Sequence, residues 1–165
     1  MAPLQRLLPL AVRGAARGTA FAAGALPPRA AVGLGLRRFS DLKFAKTHEW
    51  IRADGDTAVL GISDFAQGQL GEVVYCDLPE EGATFKGAET VCTLESVKAV
   101  GEVYAPAECE VVAVNEKLGD EPSTVNTSPL GDGWLVKVKF SGDLSNLMDQ
   151  AAYEKHVEAE AKEDE

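Results

Sequence analysis

Leu94-Glu95-Ser96-Val97-Lys98-Ala99-Val100-Gly101-Glu102-Val103 places one lysine between two strand-forming runs. Upstream, Glu89 to Leu94 is rich in β-branched residues. Its alternation predicts Cys92 and Leu94 on one face, with Val91 and Thr93 on the other. Downstream, Val100 to Tyr104 is again β-prone, and Pro106 ends the run because proline has no N–H for a ladder. If the two runs pair, Ser96-Val97-Lys98-Ala99 is too short to be anything but a tight turn. Lys98 then stands at the tip of a rigid hairpin over residues 89–104. A modifying enzyme can grip such a lysine, and an amide on its nitrogen removes the charge while leaving a long flexible arm. Lysines on exposed hairpin tips are common, so spacing alone does not make this one an attachment site.

Outward from that hairpin, short strand patterns alternate with turn signals. Glu49 to Ala53 and Thr57 to Ile62 flank Asp54-Gly55-Asp56, where glycine supplies the positive φ that a hairpin turn needs. Ser63 or Asp64 caps a short helix near 64–70, and Gly71 closes it. Glu72 to Leu78 reads as a strand ending at Pro79, with turns at Pro79 to Gly82 and at Lys86-Gly87. In Cys109 to Asn115, Val112 and Val114 are expected on one face, Val111 and Ala113 on the other. Leu118-Gly119-Asp120 reads as a turn and Glu121 to Pro129 as a loop. Trp134, Val136, Val138 and Phe140 are expected to point inward, with Lys137 and Lys139 outward. Leu144, Leu147, Met148 and Ala151 recur at helical spacing, predicting a C-terminal helix near 144–158 capped by Asp143 or Ser145. The acidic end, Glu158 to Glu165, is expected to fray. Short strands with turns every eight to twelve residues indicate a mainly β flattened barrel or sandwich, not a parallel sheet.

Charge divides the 165-residue chain. Residues 1–40 hold six arginines, no lysine and no acid, whereas the other 125 residues carry 10 basic and 26 acidic side chains. An arginine-rich, alanine-rich, acid-free start reads as a mitochondrial transit peptide, with Arg37-Arg38-Phe39-Ser40 as its processing site and the matrix as destination. Arg13 and Arg17 interrupt the apolar core that a secretory signal would need. The longest arginine-free window there, Gly18 to Pro28, falls far short of the ~20 residues of a membrane span. The remaining 41–165 suffices for one domain with a single core. Its acidity argues against nucleic acid as a partner and for steering toward basic protein surfaces.

Catalytic signatures are absent from the pattern. His48 and His156 form no metal-ligand spacing, and the glycines do not gather into a phosphate loop. Cys76, Cys92 and Cys109, odd in number and 16 and 17 apart, fit neither a disulfide framework nor a zinc motif. Cys92 and Cys109 lie in apolar strand patterns and are expected to be buried free thiols in a reducing compartment.

Glu95-Ser96-Val97-Lys98-Ala99 is similar to the lipoylation motif of the glycine cleavage system H protein family. Thr47-His48-Glu49-Trp50, Gly71-Glu72-Val73-Val74, Leu78-Pro79, Asn126 to Pro129 and Asp132-Gly133-Trp134 resemble further motifs of that family in the same order. The resemblance runs from about Phe44 to Tyr153. It implies a lipoyl-type domain that acts as a non-catalytic, monomeric carrier, with lipoic acid (lipoate) joined to Lys98 as N6-lipoyllysine.

 It also implies a route for the carried group. A pyridoxal-phosphate glycine decarboxylase loads an aminomethyl group, a tetrahydrofolate-dependent aminomethyltransferase removes it, and dihydrolipoamide dehydrogenase reoxidises the dithiol. The same resemblance implies that a loaded arm folds into a cleft with Thr47, Glu49 and Glu102. Thr47 stands where many members have Ser, and Glu102 where some have Asp. Acidic residues that merely solvate strand ends are the competing reading for Glu49 and Glu102. Glu95 is either a recognition residue for the lipoylating enzyme or part of a solvated face.

Four other readings compete with this one. A biotinyl carrier would flank its lysine with methionines, whereas Lys98 has Val97 and Ala99. A lipoyl domain of another acyl-transfer complex commonly has Asp-Lys-Ala at the tip. An unmodified acidic interaction domain would tolerate Lys98→Arg, and a hydrolase or transferase would need a catalytic constellation.

Overall fold

β2 (Glu49–Asp54) and β3 (Thr57–Ile62) form a hairpin inside the larger sheet of this computed structural model, which describes residues 42–163. The expected transit peptide over 1–40 and its processing site lie outside the described residues. Gly55 takes φ +67° in the turn, as expected. β1 (Leu42–Phe44), too short to announce itself in sequence, pairs with β2. β4 (Val73–Asp77), β5 (Thr84–Phe85), β6 (Thr90–Ser96), β7 (Val100–Tyr104), β8 (Cys109–Val114) and β9 (Val136–Phe140) complete the strands. One sheet runs β1-β2-β3-β9-β8-β5 and the other β4-β6-β7. Every pairing among them is antiparallel, and the sheets do not close into a barrel.

Both faces of the larger sheet are covered. Ala58, Leu60 and Ile62 point into the main core, which the second sheet shares through Val73, Cys92, Leu94 and Val103. On the opposite face Trp50 and Val59 join Leu42, Phe44 and Tyr153 in a second apolar cluster. Trp50 is fully buried and its indole N–H donates to the Pro129 carbonyl at 2.9 Å. Its registry partner is Gly61, where a Cβ would come within 2.7 Å of the indole ring. Only glycine leaves room there for tryptophan.

Three bulges displace the expected alternation, one of them between Val73 and Tyr75 in β4, where Val74 and Tyr75 are both exposed. Register shifts between Thr90 and Cys92, so Val91, Cys92 and Leu94 are all buried, although Val91 was expected opposite the other two. A third shift, between Val111 and Ala113, makes Val112 the extra residue. Val111 is buried and Val114 packs on the same core, while Val112 is exposed; the expected pairing of Val112 with Val114 therefore fails. Trp134 also departs from expectation. It precedes β9 and lies half-buried on the second cluster beside Lys137, while the fully buried position belongs to Leu135.

Helix α1 (Asp64–Leu70) is capped by Ser63, whose hydroxyl accepts from the Ala66 amide at 3.2 Å, and ends at Gly71 with φ +85°. Lys117–Asp120 and Thr124–Thr127 are short helices, α2 and α3, where a turn and a loop were expected. The C-terminal helix α4 is Gln150–Glu163, shifted from the expected 144–158. Met148 instead exchanges two backbone hydrogen bonds with Phe44, at 2.9 and 2.8 Å, which holds that segment extended. Asp149 is the cap, accepting from the Ala152 amide at 2.8 Å, whereas Asp143 closes a turn with Ser145. The helix continues through Glu163, so Glu158 to Glu163 do not fray as expected. Tyr153 anchors it by stacking on Phe44, ring centroids 4.3 Å apart.

Candidate functional site

β6 and β7 pair as the sequence predicts, with Leu94 opposite Gly101 and Glu95 opposite Val100. The tip is built by one hydroxyl. Ser96 Oγ accepts from the amides of Lys98 (3.2 Å) and Ala99 (2.9 Å) and donates to the Ala99 carbonyl (2.9 Å). The Ser96 amide adds a bond to the same carbonyl at 2.8 Å. The turn is thus fixed without help from the Lys98 side chain, which is exposed beside Val97 at 77% exposure. Glu95 is exposed on the same small sheet, with Tyr75 and Val100 as its cross-strand neighbours.

The lysine stem rests on a glycine. A Cβ on Gly71 would approach Lys98 Cε to 3.1 Å, and the positive φ of Gly71 would strain any other residue. Asn126 locks this platform from 55 residues away. Its side-chain amide donates to Gly71 O (2.9 Å) and Gln67 Oε1 (2.8 Å), and its Oδ1 accepts from the Val73 amide (2.9 Å). One side chain therefore joins the end of α1, the glycine under Lys98 and the start of β4.

Beside the hairpin lies a cleft of about 300 Å³, lined by Thr47, Glu49, Glu102 and Ala99, with Ile62, Leu70, Leu94 and Val103 as apolar wall. Thr47, Glu49 and Glu102 thus line one cleft. Glu49 is 1% exposed. One of its oxygens accepts from the Thr47 hydroxyl and the other from the Tyr104 amide at 2.9 Å. Burial raises its pKa, opposed by those two hydrogen bonds. Glu102 is exposed and accepts from the Tyr104 hydroxyl at 2.8 Å. An apolar trough with two carboxyl groups suits a slender chain that ends in a cation.

The family model described as glycine cleavage H-protein matches residues 42–160. The chain belongs to this family. A glycine cleavage system H protein of Marinobacter nauticus is 55% identical over 124 residues, covering 73% of this chain and 95% of its own. A mitochondrial glycine cleavage system H protein of Oryza sativa subsp. indica is 47% identical over 121 residues, covering 72% and 74%. Among solved structures, a glycine cleavage system H protein from Mycobacterium marinum superposes with TM-score 0.64 at 34% identity, over 69% of this chain and 94% of that one. The two-sheet fold with its C-terminal helix is the H-protein fold.

Three residues that shape the candidate site did not stand out by themselves in the sequence. Ser96 was legible only as part of a motif, and Asn126 as part of another; their work at the tip and under it appears in the hydrogen bonds. Gly71 was read as a helix terminator, and it is also the seat of the Lys98 stem. The three cysteines are free and buried, Cys92 and Cys109 as expected. Burial pushes the Cys76 and Cys109 thiols up to about 11 and raises Cys92 further. They are poor nucleophiles for thiol exchange.

Proposed function

We propose that this chain is the lipoylated carrier of a glycine cleavage system, with lipoic acid joined by an amide to Lys98. The carrying observation is the exposed lysine on a turn latched by Ser96, next to a cleft that ends in carboxyl groups. These residues fit the group. Nζ is accessible to a modifying enzyme, and the stem lies on Gly71, where no side chain obstructs it. Lipoic acid supplies a disulfide that opens to accept a one-carbon amine and closes again by giving up two electrons.

The chain's own part is to hold and shelter the arm. The hairpin confines its root, so transfer between partner enzymes becomes motion of a tether rather than free diffusion. The cleft walls receive the apolar length of the arm, and Glu102, with Glu49 deeper in, attracts a terminal ammonium. The partners under this reading are the pyridoxal-phosphate decarboxylase, the folate-dependent aminomethyltransferase and dihydrolipoamide dehydrogenase. The chain itself supplies no catalytic group. Glu95, flanked by Tyr75 and Val100, is the contact for the lipoylating enzyme. The arginine-rich, acid-free residues 1–40 support import into the mitochondrial matrix and removal there, leaving 41–165 as the carrier domain.

Intact mass and fragmentation of the chain from its own cells test this reading. A lipoyl increment on Lys98, with a start near Ser40 or Asp41, is expected. A biotinyl increment would transfer the chain to the carboxyl carriers, and a bare Lys98 in cells that lipoylate other proteins would overturn the proposal.

A further inference from the structure

His48 and His156 are 108 positions apart and show no ligand spacing in sequence, yet the docking of α4 brings them together with Glu160. One nitrogen from each ring and one carboxylate oxygen all lie within 4.8 Å of one another. We infer that His48, His156 and Glu160 form a binding site for one divalent transition-metal ion of the Zn²⁺ class.

The geometry of Glu160 Oε2 carries the argument. It lies 2.9 Å from His48 Nε2 and 3.8 Å from His156 Nε2. It is shielded from solvent, yet it has no aligned hydrogen bond from either ring. The short contact with His48 runs off the axis of the ring N–H. Ligands of one ion meet in just this way, because each lone pair points to the shared ion and not to its neighbour. With metal bonds of about 2.0–2.2 Å, tetrahedral neighbours stand ~3.3 Å apart. The two observed spacings bracket that value, and small rotations of the side chains close the difference.

The surroundings prepare His48 for ligation. Its Nδ1 is 2.9 Å from the Tyr153 hydroxyl, which is 2.6 Å from Ser63 Oγ. With Nδ1–H donating to Tyr153 and the phenol donating to Ser63, the Nε2 lone pair is left for an ion. The backbone holds the ring there at φ +73°, an unusual conformation for a residue with a side chain. His156 Nε2 lies 3.1 Å from the Lys46 carbonyl. Ligation moves its ring proton to Nδ1 and exchanges that donation for a bond to the ion. His156 and Glu160 are part-exposed, which gives an ion its entry path and leaves a fourth position for water. Two imidazoles and one carboxylate suit Zn²⁺, Ni²⁺ or Cu²⁺ better than Mg²⁺ or Ca²⁺. Such an ion would clamp α4 to the residue between Thr47 and Glu49, whatever Lys98 carries.

The test is calorimetric titration of Zn²⁺ into the metal-stripped full chain bearing Lys98→Arg, so that no thiol on the hairpin competes. One ion per folded chain is expected, together with a higher melting temperature. Glu160→Gln and His156→Ala, each checked for folding by circular dichroism, should weaken binding by on the order of tenfold or more. Co²⁺ should give the visible bands of nitrogen and oxygen ligation without thiolate charge transfer. No binding, equal binding by both variants, or thiolate bands that assign the ion to the cysteines would each overturn the inference.

Discussion

Two hairpins of this chain solve the same geometric problem in opposite ways. In β2–β3 the turn is made by backbone: Gly55 takes φ +67°, and the flanking strands are buried to the point that β3 is covered on both faces. In β6–β7 the turn is made by a side chain, Ser96, and the residues at the tip stand in solvent. A glycine turn needs nothing outside itself and presents nothing. A serine-latched turn also leaves its other positions free, so Val97 and Lys98 can be chosen for recognition. The first hairpin is shaped for packing and the second for display.

The largest expected effect separates the two outright. Lys98→Ala should abolish the added mass and glycine-cleavage turnover while leaving the melting temperature unchanged; turnover by a folded Lys98→Ala chain would end the carrier reading. In the packing hairpin, Trp50→Ala should cost about 3–5 kcal/mol in urea unfolding, with no effect on modification chemistry beyond the loss of folded protein. The sequence pattern had Trp134 pointing inward as well. Its half-buried place now predicts about 1–2 kcal/mol for Trp134→Ala, and a reversed order would contradict the described core.

The turns themselves give a finer contrast. Gly55→Ala should lose about 1–2 kcal/mol, the cost of a left-handed conformation in a residue with Cβ. Ser96→Ala should lose less than about 1 kcal/mol, because water can replace much of what the hydroxyl does. Its lipoylation should nevertheless slow, and an unchanged rate would show that the rigid tip is not what the modifying enzyme reads. The smallest effect concerns the cleft. The native pKa of Glu49 is raised above its ordinary value of 4.5, so stability linked to it is complete below that value and lost as pH rises through the native pKa. Glu49→Gln should flatten stability against pH over that window; a parallel pair of profiles would mean that Glu49 does not titrate there.

Features that depend on neighbours along the chain could be read from the residues alone. The display hairpin, the Gly55 turn, the Ser63 cap and most strand positions follow from local steric rules and from the period of two. The three proposed cleft residues were legible too, through the family's motifs rather than through any local pattern. Tertiary structure alone decided the rest. Whether Val91 or Val112 becomes the extra residue of a bulge depends on the strand across the ladder. Where α4 begins was settled by Met148 pairing with Phe44, which outweighs the helical spacing of Leu144 and Leu147. Tyr104 meets Glu49 across 55 residues, Asn126 reaches Val73 across 53, and His48 meets Tyr153 across 105. Such partners are chosen by how buried faces pack and by the need of each buried polar group for a hydrogen bond. Neither constraint leaves a mark in the spacing of one segment.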